Sequence, residues 1–169
     1  MEFLIQLLDF IRDIWQSLLP FHTVNEYDRA VILRLGKYHK VCEPGPHFKV
    51  PLIDDIITCR VSFATINIRP QSLTTKDGQN VVVSAVIKYK VDDPKTFTIE
   101  VDDPKDAIAD IAQGKIKELI IERSWEECKS LKDTEIKGKV AKEASKWGIK
   151  VDFITITDLA LMRSIRLIQ

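Results

Sequence analysis

The chain has 169 residues, 45% hydrophobic and 30% charged, which is ordinary globular composition with room for one domain or two small ones. Its 25 Lys and Arg balance 25 Asp and Glu, so it lacks the basic excess of a nucleic-acid binder. The cysteines Cys42, Cys59 and Cys128 form no CxxC pair, which points to reduced thiols and a body on the cytoplasmic side rather than to a disulfide framework.

Residues 1–21 carry the strongest local signal. Phe3, Leu4, Ile5, Leu7, Leu8, Phe10, Ile11, Ile14, Trp15, Leu18, Leu19 and Phe21 are apolar. Glu2, Gln6, Asp9, Asp13 and Gln16 recur every three or four positions. That period predicts a helix with one narrow polar stripe and a broad apolar face. A membrane span needs about 20 predominantly apolar residues, and Glu2, Asp9, Arg12 and Asp13 interrupt this run. A central Asp or Arg costs roughly 2.5–3.5 kcal/mol on insertion scales. No basic leader or small-residue cleavage site marks a signal peptide. Lying in the interface plane, polar stripe to water, is the expected solution. Phe3, Leu4, Leu7, Leu8, Ile11, Ile14, Trp15, Leu18 and Phe21 would then contact lipid. The competing expectation is a helix docked on its own domain, on a neighbouring subunit or in a partner's groove. Pro20 and Phe21 end the segment.

Thr23 to Val91 reads as β-rich. Arg29 to Leu35 is a short apolar run closed by Gly36. Glu43-Pro44-Gly45-Pro46 is a turn signal. Ile56 to Ile68 alternates in part, with Ile57, Cys59, Val61 and Phe63 on one face. Asp77-Gly78 predicts a hairpin. In Gln79 to Val91 the residues Val81, Val83, Ala85, Ile87, Tyr89 and Val91 share one side, as in a half-buried antiparallel strand.

A small repeat marks a change of class. Val91-Asp92-Asp93-Pro94-Lys95 recurs as Val101-Asp102-Asp103-Pro104-Lys105. In each copy Asp caps a helix that opens on Pro. The second copy predicts a helix to about Glu122, with Ile108, Ile111, Ala112, Ile116, Leu119 and Ile120 as its apolar stripe. Ser124 and Glu127 have capping-box spacing. A further helix is expected over Asp133 to Trp147, with Ile136, Val140, Ala144 and Trp147 on one face and Gly148 as C-terminal cap. The interleaved Lys and Glu from Lys115 to Lys150 read as a solvated mixed-charge surface. Ile149 to Thr157 reads as a closing strand, and Leu159 to Gln169 as the start of another helix. The fold class is α+β. Its parts are an amphipathic helix (1–21), an antiparallel β-rich subdomain (22–92), a helical subdomain with the closing strand (93–159) and a helix start (160–169).

Four blocks together resemble the stomatin/prohibitin/flotillin group, the SPFH or Band 7 domain. They are EYDRAVILRLGKY (Glu26 to Tyr38), EPGPHFKVPLID (Glu43 to Asp54), LTTKDGQNVVVSAVIKYKVDDP (Leu73 to Pro94) and KWGIKVDFITITDL (Lys146 to Leu159). The nearest subgroup is stomatin-like. The resemblance implies scaffolding without catalysis. It implies membrane attachment, homo-oligomeric assembly, and modulation of partners such as membrane proteases or ion channels. Members carry a longer, uncharged membrane hairpin, whereas Asp9, Arg12 and Asp13 favour a shallow amphipathic helix here. Members also continue past the Asp158-Leu159 position into a long Ala/Glu-rich helix. This chain stops at Gln169, so a smaller assembly, or the capping of a homologue's assembly, is expected. Ile108, Leu119, Met162 and Ile165 are the expected contacts for self-association. The loop of Pro44 to Phe48 and Pro51 to Ile53 would sit near the bilayer, with Phe48 touching it.

No catalytic constellation stands out. No GxxxxGK[ST] phosphate loop occurs. Asp92-Asp93 and Asp102-Asp103 are accounted for by helix capping. Ser84 and Cys128, the candidate nucleophiles of a regulated hydrolase, have no His near them in sequence. His39, Cys42, His47 and Cys59 match no compact zinc motif. His47 is expected to pack in a turn. No cofactor or metal is expected.

Overall fold

The structure is a computed structural model and describes residues 5–6, 20–100 and 104–162. The chain divides into two compact units, 1–62 and 63–169.

The first unit is built from five short strands: β1 (Phe21–Val24), β2 (Asp28–Arg34), β3 (Lys37–Cys42), β4 (Gly45–Phe48) and β5 (Asp54–Arg60). An antiparallel sheet runs in the order β3-β2-β5, and β1 pairs antiparallel with β4 as a separate ribbon. The continuous apolar run of β2 suits a central strand, and Ala30, Val31 and Ile32 are fully buried there. Val24, Ala30, Ile32 and Cys42 form the core, with Ile56 packed against it. β2 turns into β3 through Leu35 and Gly36, with φ of 50° and 74°, the paired positive φ of a type I′ hairpin.

The second unit contains β6 (Ala64–Thr74), β7 (Asn80–Val91), α1 (Pro94–Glu100), α2 (Pro104–Ile121), α3 (Trp125–Lys129), α4 (Asp133–Ala144) and β8 (Ile149–Leu161). β7 is the middle strand of an antiparallel β6-β7-β8 sheet. Val81, Val83, Ala85, Ile87, Tyr89 and Val91 are buried on one face, as their alternation predicts. α2 packs on β6 and on α4, and α4 packs on β8. Ile108, Ala112, Ile116, Leu119 and Ile120 of α2 are buried, as are Ile136, Val140 and Ala144 of α4. Two of the expected caps are present: Asp93 accepts from the Lys95 and Thr96 amides, and Ser124 and Glu127 form a reciprocal capping box, while Asp103 lies outside the described residues.

Several expectations change. The units meet at Ser62 and Phe63 rather than near residue 92, because β7 pairs with both β6 and β8 and needs the helices over its apolar face. The run Ile56 to Ile68 is two strands interrupted at Val61–Phe63. Phe21 is not the end of a helix but the first residue of β1. The helix from Asp133 ends at Ala144 and tightens into a 3-10 turn (Ser145–Trp147) before Gly148, which caps it at φ 71°. Leu159 to Leu161 extend β8 instead of opening a helix, because Val83, Val82 and Val81 offer them a strand to pair with.

Candidate membrane-facing rim

One end of the first unit gathers exposed apolar side chains. Phe21 opens β1 and Phe48 closes β4, and the register sets them directly opposite each other. Their rings meet edge to face, with centroids 5.9 Å apart and planes at 82°. They remain 66% and 60% exposed. The Lys49 amide donates to the Pro20 carbonyl at 2.7 Å and holds the ribbon closed beyond them.

The chain then runs from Phe48 through Leu52 and Ile53 into β5. Ile53 and Asp54 amides donate back to the Val50 carbonyl, and the Leu35 amide donates to the Ile53 carbonyl at 2.9 Å. The β2–β3 tip therefore joins this loop at the same end of the unit. Leu35 is 76% exposed and Leu52 is 89% exposed. Both hold positive φ, 50° and 67°. A side chain in that region costs roughly 1–2 kcal/mol, and an exposed Leu gains nothing from packing to offset it.

A polar clasp holds the loop under this rim. Asp54 stands opposite Arg34 in the β2–β5 register and accepts from Arg34 Nε at 2.7 Å and Nη2 at 3.0 Å. The Val50 amide donates to the same carboxylate at 2.9 Å. These donors, the guanidinium first, lower the Asp54 pKa to about 2. The Asp54 side chain is almost fully buried, so the forked pair and the loop amide satisfy a carboxylate that water no longer reaches.

The candidate residues separate into groups. Phe21 and Phe48 come together. Phe3, Leu4, Leu7, Leu8, Ile11, Ile14, Trp15, Leu18 and Ile165 lie outside the described residues. Met162 follows β8, is half exposed, and donates its amide to the Asn80 carbonyl at 2.8 Å. Ile108 and Leu119 are a correction: they are 0% and 1% exposed, inside the core of the second unit. The stripe that predicts a helix is the stripe it buries, so it is not available to a partner. Leu35 was missed in the sequence, although an apolar residue beside Gly36 at a strand junction was its signal.

The chemical alternatives find no geometry. Cys42 pairs in register with Ala30 and Cys59 with Arg29, adjacent residues of β2 that point to opposite faces, so the two thiols cannot share a metal. Among the described residues no group of three or more His, Cys, Asp or Glu is placed to hold a metal ion. His47 Nε2 lies 2.6 Å from the Glu43 carbonyl oxygen, a turn contact. Ser84 donates to Asp158 at 2.9 Å and lies 2.8 Å from the Thr157 hydroxyl, with no imidazole in the network. Cys128 is buried against the Ile120 carbonyl, and burial pushes its thiol pKa up, away from the reactive thiolate. Among the described residues no helix is long and apolar enough to cross a membrane.

The SPFH domain / Band 7 family model matches residues 22–166. An uncharacterized protein of Archaeoglobus fulgidus is 32% identical over 86% of this chain and 60% of its own length. Stomatin-1 of Caenorhabditis elegans is 30% identical over 82% of this chain and 43% of its own. A stomatin homologue of Pyrococcus horikoshii is 29% identical over 82% and 53%. The chain thus spans about half the length of the curated relatives it matches.

Proposed function

Because the chain belongs to the SPFH domain / Band 7 family and is stomatin-like, we propose that it is a non-enzymatic, membrane-associated scaffold whose first unit rests its exposed rim on a lipid surface. The observations that carry this reading are the exposed Phe21–Phe48 ring pair and, a few residues further along the chain, the exposed Leu52 and Ile53, whose loop is joined to Leu35 by a backbone bond. The segment of residues 1–19 enters β1 beside that rim, so lipid bound by the segment and lipid under the rim belong to one contact. Large apolar side chains contribute roughly 1.5–3 kcal/mol each on full burial, and shallow insertion recovers part of that for each rim residue. Lys37 follows the Leu35 tip and Lys49 follows Phe48, where each can reach headgroups while its stem lies along apolar surface. The bilayer leaflet is the cytoplasmic one, in keeping with the reduced thiols.

The scaffold assembles with copies of itself or with homologous SPFH chains, and Met162 and Ile165 are its proposed contacts. Its partners are membrane proteins of the protease or channel type, and it binds no nucleic acid.

Liposome flotation tests the attachment. Wild type should float, and Leu7→Asp/Ile11→Asp and Phe21→Asp/Phe48→Asp should each float less while far-UV circular dichroism stays unchanged. Equal flotation of all three proteins refutes the reading. A complex with another protein that depends on residues 3–19, without flotation, would favour docking of the helix in a protein groove.

A further inference from the structure

The first unit sorts its charges along its strands. Arg34 ends β2, Lys37 opens β3 directly opposite it, and Asp54 opens β5 on the other side of Arg34. The far ends of the same strands hold Asp28, opposite Arg60, and Glu43, which lies 2.9 Å from Arg29. Near Leu35 the carboxylate on the Arg34 face is Asp54. It is buried and already taken by the Arg34 fork and the Val50 amide. Asp55 is exposed, but it stands opposite Leu33 and so belongs to the other face of the sheet.

Two lysines flank this neutralised pair. Lys37 is exposed and, as the register partner of Arg34, shares its face. Lys49 precedes Val50, whose amide lies 2.9 Å from the Asp54 carboxylate. Among the described residues neither lysine has an ion-pair partner, whereas Arg29 and Arg34 each have one. The exposed leucines lie among these cations. Leu35 falls between Arg34 and Lys37, and its amide donates to the carbonyl of Ile53, the neighbour of Leu52. Shallow entry of Leu35 and Leu52 therefore carries Lys37 and Lys49, two and three residues away in the chain, to the level of lipid headgroups. Residues 1–19 have the opposite bias, with Glu2, Asp9 and Asp13 against Arg12. They offer apolar area but no attraction to negative charge.

We infer that the rim selects the lipid: it takes a bilayer surface bearing anionic headgroups, with Lys37 and Lys49 sensing the charge and Leu35 and Leu52 as shallow anchors. The inference rests on the membrane attachment proposed above and adds a lipid class to it. A neutral surface rewards the apolar contact alone. An anionic surface adds about fivefold in partitioning for each lysine close to it, roughly twentyfold for the pair. Attraction of this kind fades within the Debye length, about 8 Å at physiological salt, so it needs both lysines beside the inserted leucines.

The test is flotation of the full chain on vesicles of phosphatidylcholine alone and of phosphatidylcholine with phosphatidylserine, at low and high salt. Wild type should partition roughly tenfold or more in favour of the anionic vesicles, and high salt should remove most of that difference. Lys37→Gln/Lys49→Gln should bring anionic partitioning down to near the neutral value. Lys142→Gln/Lys150→Gln removes the same charge from exposed positions of the second unit and should keep the preference. Circular dichroism checks that each variant folds. Equal partitioning of wild type on the two compositions, a preference that salt does not weaken, or the same loss from both lysine pairs would each overturn the inference while leaving the attachment in place. Absence of wild type from both vesicles would overturn the attachment and the inference together.

Discussion

Phe21 and Phe48, twenty-seven residues apart in sequence, face each other across β1 and β4 with their ring centroids 5.9 Å apart. The pair joins the point where residues 1–19 enter the fold to the loop that carries Leu52. An edge-to-face pair contributes about 0.5–1.5 kcal/mol. Phe21→Ala/Phe48→Ala should therefore lower unfolding free energy by no more than about 1.5 kcal/mol in urea titration. Its partitioning onto vesicles should fall much further than that small loss of stability explains. Equal partitioning would place these rings outside the lipid contact.

Arg34 and Asp54 give the first unit an acid-sensitive clasp. The Asp54 carboxyl is held from its ordinary 3.8 down to about 2, chiefly by the Arg34 hydrogen bond and next by the Val50 amide. A depressed carboxylate favours the folded state above its unfolded pKa, and that contribution is lost as pH falls through the folded one. Stability assigned to this pair should be complete above about pH 4 and decline towards about pH 2. Asp54→Asn should lower the urea midpoint at neutral pH and flatten its acid dependence. Parallel pH profiles for the two proteins would show that the clasp contributes nothing.

Two glycines should respond to alanine in opposite directions. Gly148 has φ 71°, and a Cβ there would meet the Asp93 carbonyl oxygen at 2.6 Å. Its own carbonyl accepts from the Asp92 and Asp93 amides, which pins α1 to the start of β8. Gly148→Ala should destabilise by roughly 1–3 kcal/mol. Gly114 sits exposed within α2, and a Cβ added there would meet nothing within 4 Å. Gly114→Ala should stabilise by about 1 kcal/mol, since alanine loses less backbone freedom in a helix. Thermal melts of both variants decide it.

Local chemistry made much of the second unit legible. Alternation in β7, the Asp93 cap before Pro94, the Ser124 capping box and Gly148 each act over a few residues, and each appears as expected. What escaped depends on distant partners. Leu159, Met162 and Ile165 have a helix-like spacing, but Leu159 to Leu161 join β8, because β7 supplies hydrogen-bond partners distant in sequence. The break at Val61–Phe63 lies where the alternation changes phase, from Ile57, Cys59, Val61 and Phe63 to Ile66 and Ile68, a shift that a reading of one continuous run passes over. The rim was legible only in part. Pro51-Leu52-Ile53 signalled an apolar loop, but its meeting with Leu35 is made by the Leu35 amide and the Ile53 carbonyl, which no pattern of side chains encodes.

Ile108 and Leu119 carry the sharpest contrast between helix stripe and contact surface. Both are closed off inside the second unit, so truncating them opens a cavity rather than weakening a partner. Ile108→Ala and Leu119→Ala should each destabilise by about 2–5 kcal/mol. Domains are stable by about 5–15 kcal/mol, so enough folded protein should remain for a second measurement. Mass photometry on that folded fraction should give the wild-type distribution of masses for both variants. Met162→Asp should do the reverse, leaving the urea midpoint nearly unchanged because the side chain is 52% exposed, and moving the mass distribution towards single chains. If Leu119→Ala dissociates an assembly without loss of stability, the helix must open its buried face on assembly. If Met162→Asp leaves the masses unchanged, self-association does not use the end of β8.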